Sequence, residues 1–410
     1  MKKVLVILFF VSALLAQADD LSMADMQRLD SLNSLMQAVQ AQVHDAFGKK
    51  DYTRVAELNY RAIAMVDSNR EFLMPIMGER QLQSIKGMFH YDLACSYSRR
   101  NLTEGALYHL QQAVSSYYSD WKHMLEDHDL DAIRKHARFD AMVAEVRDHF
   151  DYMNILKNAA PYILDECADT LPTFTYQSPD DPNLQRVRAY FNLDKVAGNG
   201  DEISRIKNVM TYIHNLIEHD GQHGNPEHIN AIDMAEACKD GRRGLNCRGL
   251  AILLNECYLA MGIPSRYVTC MPKEYISDCH VINAVWSNQL GKWLWIDPSF
   301  NAWVTDKKGN MLSIQEVRDN LRNGIPVKLN KDANWNNREK QTTEHYLYNY
   351  MAKNLYYVVV SLNQEFGVED KAIPNQSHDV QLLPPGYTPD RNPHKGFTTN
   401  DDQWFWQAPQ

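Results

Sequence analysis

Three residues in one central stretch, Cys247, His280 and Asp297, have the types and the order needed for covalent chemistry. A thiolate is a strong nucleophile, and an imidazole can take its proton and later return one to a leaving group. A carboxylate fixes the ring tautomer and stabilises the imidazolium. Cys247 follows Gly244 and opens a run in which Leu250, Ala251, Leu254, Tyr258 and Leu259 recur at helical spacing. The glycine break predicts a helix N-terminus at or near the cysteine, where unpaired N–H groups and the helix dipole favour the thiolate. Gly262, with Pro264 beyond it, is the expected stop.

The partners must then come from strands. Arg266–Met271, His280–Trp286 and Lys292–Ile296 are rich in β-formers, separated by polar or Gly-containing turns, and read as antiparallel strands. His280 begins the second, and Asp297 follows the third, just before Pro298. Taken singly, each residue has a plainer reading: Cys247 as a small core residue, His280 as a hydrogen-bonded strand histidine, Asp297 as a turn former. Their joint order favours the nucleophilic system. The oxyanion it generates needs donors. The Cys247 N–H is one candidate, and Gln222, His223, Asn225 and Asn246 are candidates for another.

The stretch resembles the transglutaminase-like superfamily. The matching residues are Gly244 and Cys247 in a Gly-x-x-Cys arrangement, Ala251, the Gly-Ile-Pro-x-Arg segment Gly262–Arg266, His280 with its apolar strand, and Asp297 in Trp-Ile-Asp-Pro. The resemblance implies an α+β, papain-like core in which a Cys-bearing helix packs on an antiparallel sheet. It also implies Cys247 as nucleophile, His280 as base and Asp297 as orienting acid, with no cofactor. The implied activity is acyl transfer at amide bonds of a peptide or protein. The resemblance to exported bacterial relatives implies hydrolysis, so a peptidase or amidase is expected. The alternatives are a glutamine–lysine crosslinking acyltransferase (protein-glutamine gamma-glutamyltransferase) and a non-catalytic protein-binding module.

Residues 1–18 read as a cleaved signal peptide: Lys2 and Lys3, the apolar Val4–Leu15, then Ala16-Gln-Ala18. The expected localisation is periplasmic or secreted, with no membrane span after cleavage. The formal net charge of -10 argues against nucleic-acid binding. With Cys247 set aside, the chain's seven cysteines leave an even number that permits disulfides, and Cys270 with Cys279 is the first pair to test. Cys95 and Cys257 fall on apolar helical faces and read as core.

Residues 19–160 are expected to form an all-helical domain. Phe47, Ala56, Tyr60 and Ile63 can be laid over Tyr97, Ala106, Leu110 and Ala113 at equal offsets. This resembles tetratricopeptide repeats with an insertion around Arg70–Lys86, and such repeats present a face for a protein partner. A non-repeating bundle is the alternative. Residues 161–200, with Pro172, Pro179 and Pro182, read as a linker, 201–370 as the catalytic domain and 371–410 as a tail packing back on it through Trp404-Phe405-Trp406. Asp201 should cap a helix with the stripe Ile203, Ile206, Val209, Met210, Ile213 and Leu216, packed on the Cys247 helix. Ser313 and Glu316 form a capping box for a helix ending near Arg322, Glu344–Lys353 is helical and Leu355–Leu362 a buried strand.

No metal is expected. His219, His223 and His228 match no closed zinc pattern in their Gly- and Pro-containing loop, and line the cleft instead. No EF-hand loop is present, so calcium dependence is not expected. Trp293 and Trp295 read as core. Arg248 and Arg266 are either structural ion-pair partners or anchors for a substrate carboxylate.

Overall fold

The computed structural model describes residues 22–163, 171–221, 224–274, 278–370, 379–389 and 396–410. The expected signal peptide, Gln222 and His223 lie outside the described residues. No helix among those described is long and apolar enough to cross a membrane. The chain divides into two compact units, residues 1–151 and 152–410.

The first unit is all-helical, as expected. Met23–Gly48 and Tyr52–Ser68 form one antiparallel pair, Glu79–Arg99 and Thr103–Ser115 another. Each turn needs one left-handed residue, Lys50 (φ 58°) in the first and Asn101 (φ 58°) in the second. The two hairpins therefore correspond with an interval one residue longer than the overlay of Phe47 on Tyr97. In that register Val55, Ala56, Asn59 and Ala62 match Ala106, Leu107, Leu110 and Ala113, and all eight are buried. The shorter offset matches Tyr60, which is exposed, to buried Leu110. Small residues at neighbouring positions make such a pattern fit almost as well when slipped by one. The insertion is also shorter than expected: Arg70–Met77 is a helix of its own, while Glu79–Lys86 already belongs to the next long helix. Cys95 is buried, as its face predicted.

The second unit is α+β. We label the strands of its main sheet β1 (Ser265–Met271), β2 (His280–Ser287), β3 (Lys292–Ile296), β4 (Tyr357–Ser361), β5 (Asp379–Leu382) and β6 (Gly396–Thr399). Their spatial order is β6-β5-β4-β1-β2-β3. All neighbours run antiparallel except β5 and β6. Period-two alternation gives the sheet two faces. Tyr267, Val281, Val285, Leu294 and Ile296 pack with the helix Cys247–Ala260. Val268, Cys270, Ile282, Ala284, Trp293 and Trp295 pack on the other face with Leu347, Met351 and Phe405. Trp293 and Trp295 are thus core residues.

The stretch read as a linker contains two helices, Pro182–Tyr190 and Leu193–Ala197, whose Leu184, Val187 and Leu193 are buried in the core of the Cys247 helix. Pro182 starts the first of them rather than breaking structure, with the Asp181 side chain as its cap. Cys270 and Cys279 are separate thiols. Cys270 packs on the Trp295 face and Cys279 with Met271 and Tyr357 on the opposite one, so the sheet itself keeps them apart.

Candidate functional site

Cys247 is the first residue of its helix. Asn246 is the N-cap, and its Oδ1 accepts from the Gly249 N–H at 3.0 Å. That cap fixes the turn that presents the cysteine and uses the acceptor oxygen of the Asn246 amide. Gly262, at φ 72°, ends the helix region as expected. The glycine ahead of the cysteine has a specific cause. A Cβ on Gly244 would lie 2.2 Å from the Glu218 carbonyl oxygen. Only a glycine lets residues 218–220 run alongside, where His219 forms a parallel bridge with Leu245 and the Asp220 N–H donates to the Leu245 carbonyl at 2.7 Å.

His280 Nε2 lies 2.8 Å from Asp297 Oδ2, with both side chains buried. Asp297 is held in a tight loop: its backbone exchanges two 2.9 Å bonds with Ala302, and its Oδ1 accepts from the Ser299 N–H at 2.9 Å. The helix Glu202–Leu216, capped by Asp201, supports that loop through His214 Nδ1 at 2.9 Å from the Pro298 carbonyl. It also packs on the Cys247 helix, where the Tyr258 hydroxyl donates to the Ile206 carbonyl at 2.7 Å.

His280 Nδ1 is buried without a hydrogen-bond partner. The His280 ring nevertheless acts on Cys247 through side-chain interaction and charge together, and such contacts commonly tighten only with substrate bound. Burial alone would raise the thiol pKa, but His219 and then His280 overcome it and bring Cys247 down to about 6. Burial likewise opposes the His280 cation, and the Asp297 carboxylate, with the Cys247 sulfur, raises it to about 10. The two shifts describe a thiolate–imidazolium pair. The ring of His280 is walled by Phe300 and Tyr350, with centroids at 5.6 and 5.2 Å.

Sequence reasoning missed Tyr346. Its hydroxyl donates to Asp297 Oδ2 at 2.5 Å and accepts from Trp295 Nε1 at 3.1 Å. Burial, then the adjacent carboxylate, hold the phenol protonated. Tyr346 lies in a π-helical segment, Glu344–Met351, where helix periodicity gives no reliable facing, so no spacing rule pointed it at Asp297. Tyr346→Phe keeps the ring packing and removes a donor to a buried carboxylate, so urea denaturation should register a loss of about 1–3 kcal/mol. A change lost in the error of that measurement would mean that the bond adds little.

The remaining candidates separate clearly. Asn225 sits against the first turn of the Cys247 helix: a Cβ on Gly249 would lie 2.6 Å from its Oδ1, which is buried without a hydrogen bond. His219 reaches the cysteine, whereas His228 lies by Asp370, with Nδ1 to Oδ2 at 3.5 Å. Among the described residues His228, Asp233 and Asp370 are the one group whose ligand-type atoms lie within 4.8 Å of one another, and it does not include His219. Arg248 Nε donates to Glu369 Oε2 at 2.7 Å and its Nη2 pairs with Oε1, while Nη1 donates to Thr269 at 2.9 Å. Arg266 is fully buried: Nε donates to the Tyr176 hydroxyl at 2.7 Å, Nη1 to the Phe405 carbonyl at 2.6 Å, and the guanidinium lies 3.7 Å over Phe174. It cannot meet a substrate. Both arginines are structural partners here.

Residues 190–298 match the family model of the transglutaminase-like superfamily, and the match spans Cys247, His280 and Asp297. Over 75 residues the chain is 29% identical to a chloroplastic protein of Arabidopsis thaliana. That alignment covers 18% of this chain and 22% of the relative, so the chain spans about a fifth of that protein's length. No solved structure matches the chain. The chain therefore carries a transglutaminase-like core domain behind an all-helical N-terminal unit.

Proposed function

We propose that this protein is an exported cysteine-dependent enzyme that hydrolyses amide bonds in peptide or cell-envelope material. The observation that carries the reading is the buried 2.8 Å contact of His280 with Asp297, with the other ring nitrogen left unbonded to act on a cysteine at a helix start. The Cys247 thiolate attacks the amide carbonyl carbon, a C–S bond forms, and the carbonyl π pair moves to oxygen. As that pair returns, the C–N bond breaks, and the His280 imidazolium gives its proton to the departing nitrogen. His280, now neutral, takes a proton from water as the oxygen attacks the thioester. Collapse releases the acid and restores the thiolate. Asp297 keeps Nδ1 aimed at the sulfur by holding Nε2. A protein partner on the helical N-terminal unit is compatible with this chemistry.

Peptide mixtures incubated with the protein and with Cys247→Ala should show new termini only in the first. An amine in place of water would give crosslinking through the same thioester. Cys247-dependent, stable incorporation of a fluorescent primary amine into proteins, with no new termini, would replace hydrolysis by transfer. Selective labelling of Cys247 by iodoacetamide at neutral pH distinguishes either from a binding module.

The pH dependence has a definite sign. A thiol lowered to about 6 is already thiolate above that pH, so alkylation of Cys247 should rise through about 6 and not near the ordinary 9.0. An imidazolium raised to about 10 supplies its proton below that pH, so acyl transfer should fall as pH passes about 10. An alkylation midpoint in the ordinary thiol range would contradict the ion pair.

A further inference from the structure

We infer that His219 is a catalytic residue: its Nε2–H is the side-chain donor that holds the oxyanion when a carbonyl is attacked by Cys247. The inference rests on the proposed acyl transfer and names a part that reading leaves open. Its first support is placement. His219 bridges Leu245, two residues before the cysteine, and the backbone there is fixed from both sides. The Asp220 N–H donates to the Leu245 carbonyl at 2.7 Å, and the Leu245 N–H to the Glu218 carbonyl at 3.2 Å. On the far side Asn336 clamps the same residue, accepting from the His219 N–H at 2.7 Å and donating to its carbonyl at 2.9 Å.

The second support is the tautomer. Trp335 Nε1 lies 3.2 Å from His219 Nδ1. An indole nitrogen is a donor only, so Nδ1 must be the acceptor and the ring proton must sit on Nε2. The remaining ring nitrogen is therefore an N–H, on a side chain that interacts with Cys247. A neutral N–H donor cannot serve as the base for the thiol, a task that His280 already fills with Asp297 behind it. It can serve a developing alkoxide. The other donor is the Cys247 N–H, which as the first residue of a helix has no intrahelical acceptor. A backbone N–H and a side-chain N–H on either side of the attacked carbonyl make a two-donor oxyanion site, and both are held before substrate arrives. The cap takes the Asn246 amide oxygen and the Asn225 atom buried at the helix is likewise an oxygen, so neither of these atoms can hold an oxyanion. Trp335, which acts only through His219, is a positioning residue.

The test uses p-nitrophenyl acetate as a small acyl donor and iodoacetamide as a reagent that meets the sulfur without forming an oxyanion. In the acylation step the C–S bond forms, the oxyanion appears, and the ester C–O bond then breaks to release p-nitrophenolate. His219→Ala is expected to slow the acylation burst by about 10²–10³-fold, while alkylation normalised to the thiolate fraction changes little. His219→Gln, which restores an amide N–H of similar reach, should recover a large part of the burst. Trp335→Phe should weaken the burst without abolishing it, because the proton is then free to sit on either nitrogen. Equal proportional losses of burst and normalised alkylation in His219→Ala, with no recovery in His219→Gln, would reduce His219 to a structural role. A wild-type burst that His219→Ala leaves intact overturns this inference alone. Absence of a Cys247-dependent burst from the wild type overturns the acyl-transfer reading, and this inference with it.

Discussion

Replacing His280 by alanine is expected to lower acyl transfer by about 10⁴-fold or more, and to move the Cys247 titration from about 6 back toward the ordinary thiol range. The two effects have different sizes because His280 does two things. Its positive charge beside the sulfur favours the thiolate, and an opposite charge at that range is worth about 1–3 pH units. Losing it leaves His219 and the helix start still favouring the anion, so the midpoint moves only part of the way. Thiolate content is only half of the proposed role, in which the same ring hands a proton to the departing nitrogen and later takes one from water. No other buried base with a carboxylate behind it lies at the sulfur among the described residues. Alkylation at neutral pH should therefore fall modestly, helped by the greater nucleophilicity of a less acidic thiolate. Turnover should collapse. Absorbance titration of the thiolate and a burst assay read the two separately, and a variant with both unchanged would remove His280 from the mechanism.

Arg266→Ala should destabilise the C-terminal unit by about 3–5 kcal/mol, measured by urea denaturation, with no specific effect on substrate affinity in whatever remains folded. Burial holds the Arg266 guanidinium below its ordinary pKa, and its hydrogen bonds go to a phenol and a backbone carbonyl. Three aromatic rings compensate, Phe174 at 3.7 Å, Trp293 at 4.5 Å and Tyr176 at 5.7 Å. A desolvated cation over such faces gains about 2 kcal/mol or more. Truncation forfeits that, opens a cavity, and strands the Phe405 carbonyl and the Tyr176 hydroxyl. Arg266→Met refills most of the volume without a charge to bury, so it should cost distinctly less than alanine. Were alanine harmless to stability and damaging to substrate affinity, the arginine would be an anchor after all.

How much of this was readable from residue types varies with the physics at each place. The Cys247 helix, β1 to β3, the Asp201 and Ser313 caps and the packing of Trp404-Phe405-Trp406 were legible, because each combines a period with a start or stop signal. The repeat overlay slipped by one, since small residues sit at adjacent positions and only the left-handed turns at Lys50 and Asn101 fix the register. The helices at 182–197 were hidden by prolines that start a helix as readily as they end one. β5 and β6 carry few apolar residues and lie in a Pro-, Gly- and Asn-rich stretch, and their pairing comes from an open sheet edge elsewhere in the chain. At the site, the three chemistry-bearing residues announced themselves by order. Tyr346, Trp335 and Asn336 did not, because what they contribute is a hydrogen bond to a residue far away in the chain or a π-helical facing that no spacing rule encodes.

The sheet order has a consequence for when the protein becomes competent. β1, which leads into the histidine hairpin, is flanked on its other side by β4, with Val268 opposite Val360. The arginine on β1 donates to a carbonyl at residue 405 and a hydroxyl at residue 176. A chain that has already emerged as far as the cysteine, histidine and aspartate must still deliver about sixty further residues before that strand gains its neighbour, and about a hundred before its arginine gains its carbonyl. The N-terminal helical unit has cores of its own and precedes the nucleophile in the chain, which waits for the strands that follow it. Emergence of the last strands, rather than of the reactive residues, sets the moment at which the chemistry can begin.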